Sequence, residues 1–357
     1  MTTSVAKLDR VELCRRYDPI LAHRLEKILS LRIEVRSNIG ETSLYHPPTI
    51  REAHQIYGNI VAYAARHIET CGFRSVTVPT SGGADSTFML KILRDASDEL
   101  FSKSGRRVRV FGFNLPCTLQ DDAEYYTGMG EWACELYADD WATVNIGRAH
   151  AAVLAELFEL DNIKMQKSGA TLNDTFKETS PDYPIREFKV DRGNVAARLR
   201  MIFSYGIAKM LGGAQCSTDN LSEGLTGFWT LCGDEGTFKY IQGVLKGLEQ
   251  PLLMYAAGIP SPFYTQRETD GLGVGDGDVS QLYGHLYMGR ETYVDVDTVL
   301  LNMLAGAPYP DPLNPGVPLE EHPVVVWNRR TEFKRTIFTL GRERIGLPSI
   351  EGLGFAK

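Results

Sequence analysis

Residues 77–90 read TVPTSGGADSTFML. A short apolar run leads into a turn of small residues, and an amphipathic helix begins beyond it. The turn is Ser81-Gly82-Gly83-Ala84-Asp85-Ser86. Paired glycines let the backbone enter the φ > 0 region and approach a ligand closely. Ser81 and Ser86 add hydroxyls. The free amides at the start of the helix, together with its dipole, favour an anion there. A loop of this kind cradles a phosphate or pyrophosphate. The spacing G-x-x-x-x-G-K-[ST] is absent, so this is not a Walker loop. Asp85 adds a carboxylate that would repel a phosphate unless a divalent cation bridged the two, so the loop asks for a nucleotide with Mg²⁺. The alternative is a strand-to-helix turn that uses Gly and Ser for geometry alone.

The flanking sequence alternates strand and helix patterns. Strands are expected at 75–79, 108–114, 141–146 and 214–217. Helices are expected at 49–71, 85–97, 121–137, 148–160, 194–211, 243–257 and 282–304. Thr49 followed by Glu52 forms a capping box at the start of the first of these helices. Alternation of this kind predicts an α/β fold, a doubly wound parallel sheet with flanking helices, Rossmann-like in type. Ligands bind such sheets beyond the carboxyl ends of the strands, where the 81–86 turn lies.

Residues 1–48 read as a helical extension that Pro19 splits in two. Residues 49–335 form the main domain, with mobile loops at 161–190 and 259–281. Residues 336–357 are a C-terminal tail. Past the 214–217 strand comes Thr218-Asp219-Asn220-Leu221-Ser222-Glu223. Its place after a buried strand puts Glu223 on the same sheet edge as Asp85, where the two would complete an oxygen site for Mg²⁺. Gly233-Asp234-Glu235-Gly236 offers a further carboxylate on a pliable backbone. These residue types also serve as Asx-turns and helix caps, and that reading stays open.

The chain has 357 residues, 43% hydrophobic and 23% charged, as in ordinary globular proteins. A net charge of −7 argues against nucleic acid as a general partner. No apolar run reaches the ~20 residues that span a bilayer, so no membrane partner is expected. The first residues show no secretory pattern, and the six cysteines form no C-x-x-C. A cytoplasmic location with reduced thiols is the expectation.

The ordered set NVAARLRM (194–201), STDNLSEGLTGFWTLCGDEGT (217–237), Leu245-Lys246 and TDGLG (269–273) is more specific than its parts. With SGGADST it resembles NAD synthetase, of the ATP-pyrophosphatase type, over about residues 50–335. Leu115-Pro116 with Gln120 adds to the resemblance. The loop is common to several adenylating ligases, whereas the block at 194–237 is particular to NAD synthetase.

The resemblance implies a carbon–nitrogen ligase that amidates deamido-NAD through an acyl adenylate, with ATP and Mg²⁺. Ser81, Gly82, Gly83 and Ser86 would hold the pyrophosphate, and Thr218, Lys246 and Thr269 would contact ATP. Asp85 and Glu223 would ligate the metal. Arg198, Phe228 and Asp234 would meet deamido-NAD, with Asp234 in the nicotinate and ammonia region, and Lys334 would meet phosphates. Ammonia is the expected nitrogen source, since residues 1–50 are too few for a glutaminase domain. A homodimer is also implied. Two positions depart from the family pattern. Leu231 stands where a lysine is often found, and Phe333-Lys334 replaces His-Lys. Another ligase of the same loop superfamily, or a nucleotide-binding protein that has lost catalysis, are the alternative readings.

Overall fold

The computed structural model describes residues 9–36, 42–117, 123–159, 162–171, 174, 188–233, 236, 238–265, 279, 282, 292–305 and 316–335. The chain opens with helix α1 (Arg10–Ser30), followed by an antiparallel pair, β1 (Ile33–Arg36) and β2 (Thr42–Tyr45). Then come α2 (Ile50–Cys71), β3 (Ser75–Pro79), α3 (Ala84–Ser104), β4 (Arg109–Asn114), α4 (Ala123–Tyr137), β5 (Asp140–Thr143) and α5 (Gly147–Glu159). The long helix α6 (Phe188–Met210) leads to β6 (Ala214–Gln215) and the short α7 (Leu221–Thr226). Further on are α8 (Gln250–Ala256), α9 (Pro262–Thr265), α10 (Tyr293–Ala305), α11 (Pro323–Arg330) and α12 (Glu332–Arg335).

Strands β3 to β6 form a parallel sheet in the order β5-β4-β3-β6. Parallel sheets are covered on both faces, so a central strand reads as a continuous apolar run. β3 follows this rule, with Ser75 to Val78 all buried. From β3 the chain winds outward through β4 and β5, then returns to place β6 on the other side of β3. The order therefore reverses between β3 and β6, and a crevice opens at their carboxyl ends. The 81–86 turn leaves β3 at that point, and residues 216–220 leave β6 beside it.

Several elements differ from the sequence expectation. Pro19 lies inside α1 without splitting it. Proline removes one hydrogen bond, but here its side of the helix is exposed while Leu21, Leu25 and Ile28 anchor the other side in the main core. The β1–β2 pair was not anticipated, and Ile33 joins the same core. Residues 144–146 are not strand, yet Val144 and Ile146 still donate to the carbonyls of Asn114 and Pro116. Within the 259–281 segment, residues 262–265 form the buried helix α9, with Arg24 Nη1 donating to the Tyr264 carbonyl at 2.7 Å. Residues 188–193, the first of them expected in a loop, open α6. Helix α8 begins at Gln250, seven residues later than expected, because side chains capture the preceding amides. Residues 162–171 and 174 of the 161–190 segment are described, with Lys164 and Thr171 forming an isolated antiparallel bridge. Residues 160–161, 172–173, 175–187, 266–278 and 280–281, with Gln120, Asp234, Thr269 and the 336–357 tail, lie outside the described residues.

Candidate active site

The 81–86 turn has the expected backbone. Gly82 takes φ +80°, and a Cβ there would lie 2.4 Å from the Gly130 amide nitrogen, so two constraints demand glycine. Gly83 is the N-cap of helix α3 and provides no side-chain cap, which leaves the first helical amides directed out of the turn. The two hydroxyls pair with each other, Ser81 Oγ to Ser86 Oγ at 3.2 Å. Ser86 Oγ also accepts from the Ser81 amide at 3.3 Å, and Ser81 Oγ from the Gly83 amide at 3.3 Å.

Across the crevice, Asn220 caps α7 in a reciprocal box with Glu223. Glu223 Oε2 accepts from the Asn220 amide at 3.4 Å, while Oε1 accepts from Lys246 Nζ at 2.7 Å. Glu223 therefore caps α7 with one oxygen and meets the Lys246 ammonium with the other, so a cap and a candidate site residue are compatible readings of this motif. The same ammonium reaches Asp85 Oδ2 at 3.1 Å and lies 4.5 Å from the centre of the Tyr293 ring. Asp85 Oδ1 accepts from Asn220 Nδ2 at 3.1 Å and from Gln250 Nε2 at 3.0 Å. Burial raises the Glu223 carboxyl, as does nearby Asp85, while Lys246 opposes the shift.

Asp297 is fully buried on α10 and ties the site together from below. Its Oδ1 accepts from Ser222 Oγ at 2.5 Å, and its Oδ2 from the Gly247 and Leu248 amides at 2.7 and 3.0 Å. Burial pushes this carboxyl up to about 7 against those hydrogen bonds. Gly247 is needed because a Cβ would meet the Tyr293 carbonyl at 2.2 Å, where α10 begins. Asn220, Gln250 and Asp297 were not singled out from the sequence. The N-x-x-E spacing reveals the Asn220 cap, but its donation to Asp85 is a long-range contact with no local signal.

Two carboxylates share one buried cation here. Lys246 stands where a positive charge is needed, and the oxygen donors suit a hard divalent ion, which takes one or two carboxylates and completes its shell with phosphate oxygens and water. Asp85 and Glu223 therefore fit as the residues that would hold Mg²⁺. Among the described residues no group of three or more His, Cys, Asp or Glu gathers as a metal site.

The remaining residues are more dispersed. Thr218 is half-buried on the β6 side. Arg198 is exposed on α6, and its Nε donates to the Leu231 carbonyl at 3.2 Å. Leu231 is itself exposed, so the departure from lysine falls on an open surface. Phe228 has a ring partner within the chain. It packs with Trp327 at 5.8 Å and joins the apolar cluster of α10 and α11. Lys334 Nζ donates to the carbonyls of Gly227 and Trp229 at 2.7 and 2.5 Å. Those carbonyls follow the end of α7, where a helix leaves acceptors unpaired, so Lys334 acts there as a cap. Phe333 is exposed.

A family model for NAD synthase matches residues 56–337. The NH₃-dependent NAD⁺ synthetase of Escherichia coli O127:H6 is 29% identical over 255 residues, covering 71% of this chain and 82% of that protein. The corresponding protein of Pseudomonas aeruginosa (strain UCBPP-PA14) is 27% identical over 206 residues. That match covers 56% of this chain and 66%, just under two thirds, of the relative. Among solved structures, NAD⁺ synthetase from Burkholderia pseudomallei superposes with a TM-score of 0.55 at 22% identity, covering 91% of this chain and 98% of that one. NMN synthetase from Francisella tularensis gives 0.58 at 19%, covering 82% and 99%. These two likenesses establish the shared fold. With the family model matching most of its length, this chain belongs to the NAD synthase family.

Proposed function

We propose that this chain is an ammonia-dependent NAD synthetase, a ligase that amidates the nicotinate carboxylate of deamido-NAD. The observation that carries this reading is the meeting of Asp85, Glu223 and Lys246 in front of the 81–86 turn, at the switch point of a family-typical sheet. A carboxylate is a poor acyl donor because its leaving group would be oxide. Attack of a carboxylate oxygen on the α-phosphate of ATP breaks the bond to the β-phosphate and releases pyrophosphate. Ammonia then attacks the acyl carbon, AMP leaves with that oxygen, and the ammonia nitrogen loses its proton to solvent.

The chain's part is orientation and charge. The α3 amides with Ser81, Gly83 and Ser86 cradle the departing pyrophosphate. Lys246 supplies a positive charge beside it, with Thr218 and Thr269 at ATP. Arg198 and Asp234 serve deamido-NAD. Mg²⁺ held by Asp85 and Glu223 would neutralise phosphate charge. Phe228 and Lys334 support the 227–230 segment from behind rather than touching substrate. We read the assembly as a homodimer, because α6 exposes Ile202, Tyr205 and Met210 on its outer side, the last of them 87% exposed. Cytoplasmic action suits six free cysteines.

Incubation with ATP, Mg²⁺, deamido-NAD and ammonium should yield NAD and AMP in equal amounts. Asp85→Asn should lower turnover by about 100-fold or more. Absence of product from protein that binds ATP would overturn the reading. Efficient use of glutamine by the pure protein would overturn the nitrogen assignment.

A further inference from the structure

The turn Leu245–Gln250 delivers two donors to the site, Lys246 Nζ and Gln250 Nε2, which reach the two oxygens of Asp85 at 3.1 and 3.0 Å. Its backbone is neither helix nor strand until Gln250, so something else must fix it. Asp297 holds the middle of the turn through Gly247 and Leu248. Glu249 holds the beginning, its Oε2 accepting from the Leu245 amide at 2.9 Å. The other oxygen, Oε1, accepts from Tyr45 Oη at 3.0 Å. Tyr45 ends β2, and the family match begins only at residue 56. The β1–β2 pair lies against α10, the helix that carries Asp297, and Ile33 and Tyr45 reach the main core.

We propose that Tyr45 and Glu249 are positioning residues for the ATP site, and that the N-terminal segment thereby sets the place of Lys246. The observation behind this is an unbroken chain of hydrogen bonds, Tyr45 Oη to Glu249, Glu249 to the Leu245 amide, and one peptide further on to Lys246. Glu249 has one oxygen for each partner, so losing the Tyr45 hydroxyl frees its carboxylate to rotate and releases the Leu245 amide. The effect falls on the residue that faces phosphate, not on those facing ammonia. Glu249 is also pushed up by burial, and the Tyr45 hydroxyl with the Leu245 amide opposes that shift by stabilising the charged form.

The inference rests on the functional reading above, and its test separates the two. Tyr45→Phe removes one oxygen and keeps the ring in place. It should raise KM for ATP and Kd for ATP·Mg²⁺, the latter read by calorimetry without turnover, roughly five- to tenfold. KM for ammonium should stay within about twofold. Glu249→Gln should do the same, and the double variant should lose no more than the worse single one, because both break one chain. An unchanged ATP Kd in Tyr45→Phe, whatever its Tm, would overturn the inference while leaving the synthetase reading intact. Strictly additive losses in the double variant would overturn it too. A wild-type protein that binds no ATP and makes no NAD would remove the functional reading itself.

Discussion

Lys246 is the only group that balances Asp85 and Glu223 among the described residues, and its side chain is 8% exposed. Removing one partner of a buried charge set costs about 3–5 kcal/mol, because the other charges stay buried without compensation. Lys246→Met should therefore lower the Tm of the nucleotide-free protein. Mg²⁺ should raise Tm more in this variant than in wild type, since a cation can then take the ammonium's place. Scanning fluorimetry with Mg²⁺ against EDTA checks this, and a variant indifferent to Mg²⁺ would contradict the metal assignment. Asp297 gives a pH signature. Burial holds its carboxyl near 7 when folded, well above the ordinary carboxylate value. The folded state binds this proton more tightly than the unfolded state. Its stabilising contribution is complete below about pH 4 and fades as pH rises to about 7. Asp297→Asn removes the titration, so the fall in Tm between about pH 5 and pH 7.5 should flatten. A slope equal to wild type would contradict the assignment. Gly82→Ala should cost about 1–2 kcal/mol from φ alone, with added cost from the overlap with Gly130.

At the level of elements, local chemistry was legible and long-range chemistry was not. The Thr49–Glu52 capping box forms as the spacing implies, with the Thr49 amide 2.8 Å from Glu52 Oε2. Thr49→Ala should cost about 1 kcal/mol, measurable by denaturant titration. The 81–86 turn, β3 and the helix after it were equally readable, because two glycines and a run of buried residues impose them locally. The start of α8 was not readable. The segment 243–249 has helical composition, yet Glu249 and Asp297 bind its amides first. Asp297 is 75 residues from Ser222 along the chain, and no periodicity signals such a partner. Phe228 and Lys334 have partners in the structure that the motif does not signal, for a related reason. Motif position indicates a site, but a stacking partner such as Trp327 or an open helix end after α7 can claim the side chain first. Pro19 was read as a break because propensity weighs the lost hydrogen bond and not the three core anchors that follow it.

At the scale of the whole molecule, strand order makes the site. Reversal between β3 and β6 brings Asp85 and Glu223 together although they stand 138 positions apart in the sequence. The N-terminal segment belongs to this unit, since α1 places Leu21, Leu25 and Ile28 in the main core. Each would lose about 1.5–3 kcal/mol of apolar burial on deletion of that helix. Outer residues of α6 bear on assembly. If the homodimer uses this face, Ile202→Glu or Met210→Glu should weaken self-association more than about tenfold in sedimentation equilibrium. A dimer unaffected by both would place the interface elsewhere.

The central claim is that a carboxylate is adenylated in the crevice between β3 and β6. It is tested most directly by following the carboxylate oxygen. Deamido-NAD labelled with ¹⁸O in its nicotinate carboxylate should pass one labelled oxygen to the phosphate of AMP as NAD forms, with none in pyrophosphate. NAD formed while AMP stays unlabelled, or label recovered in pyrophosphate, would contradict it.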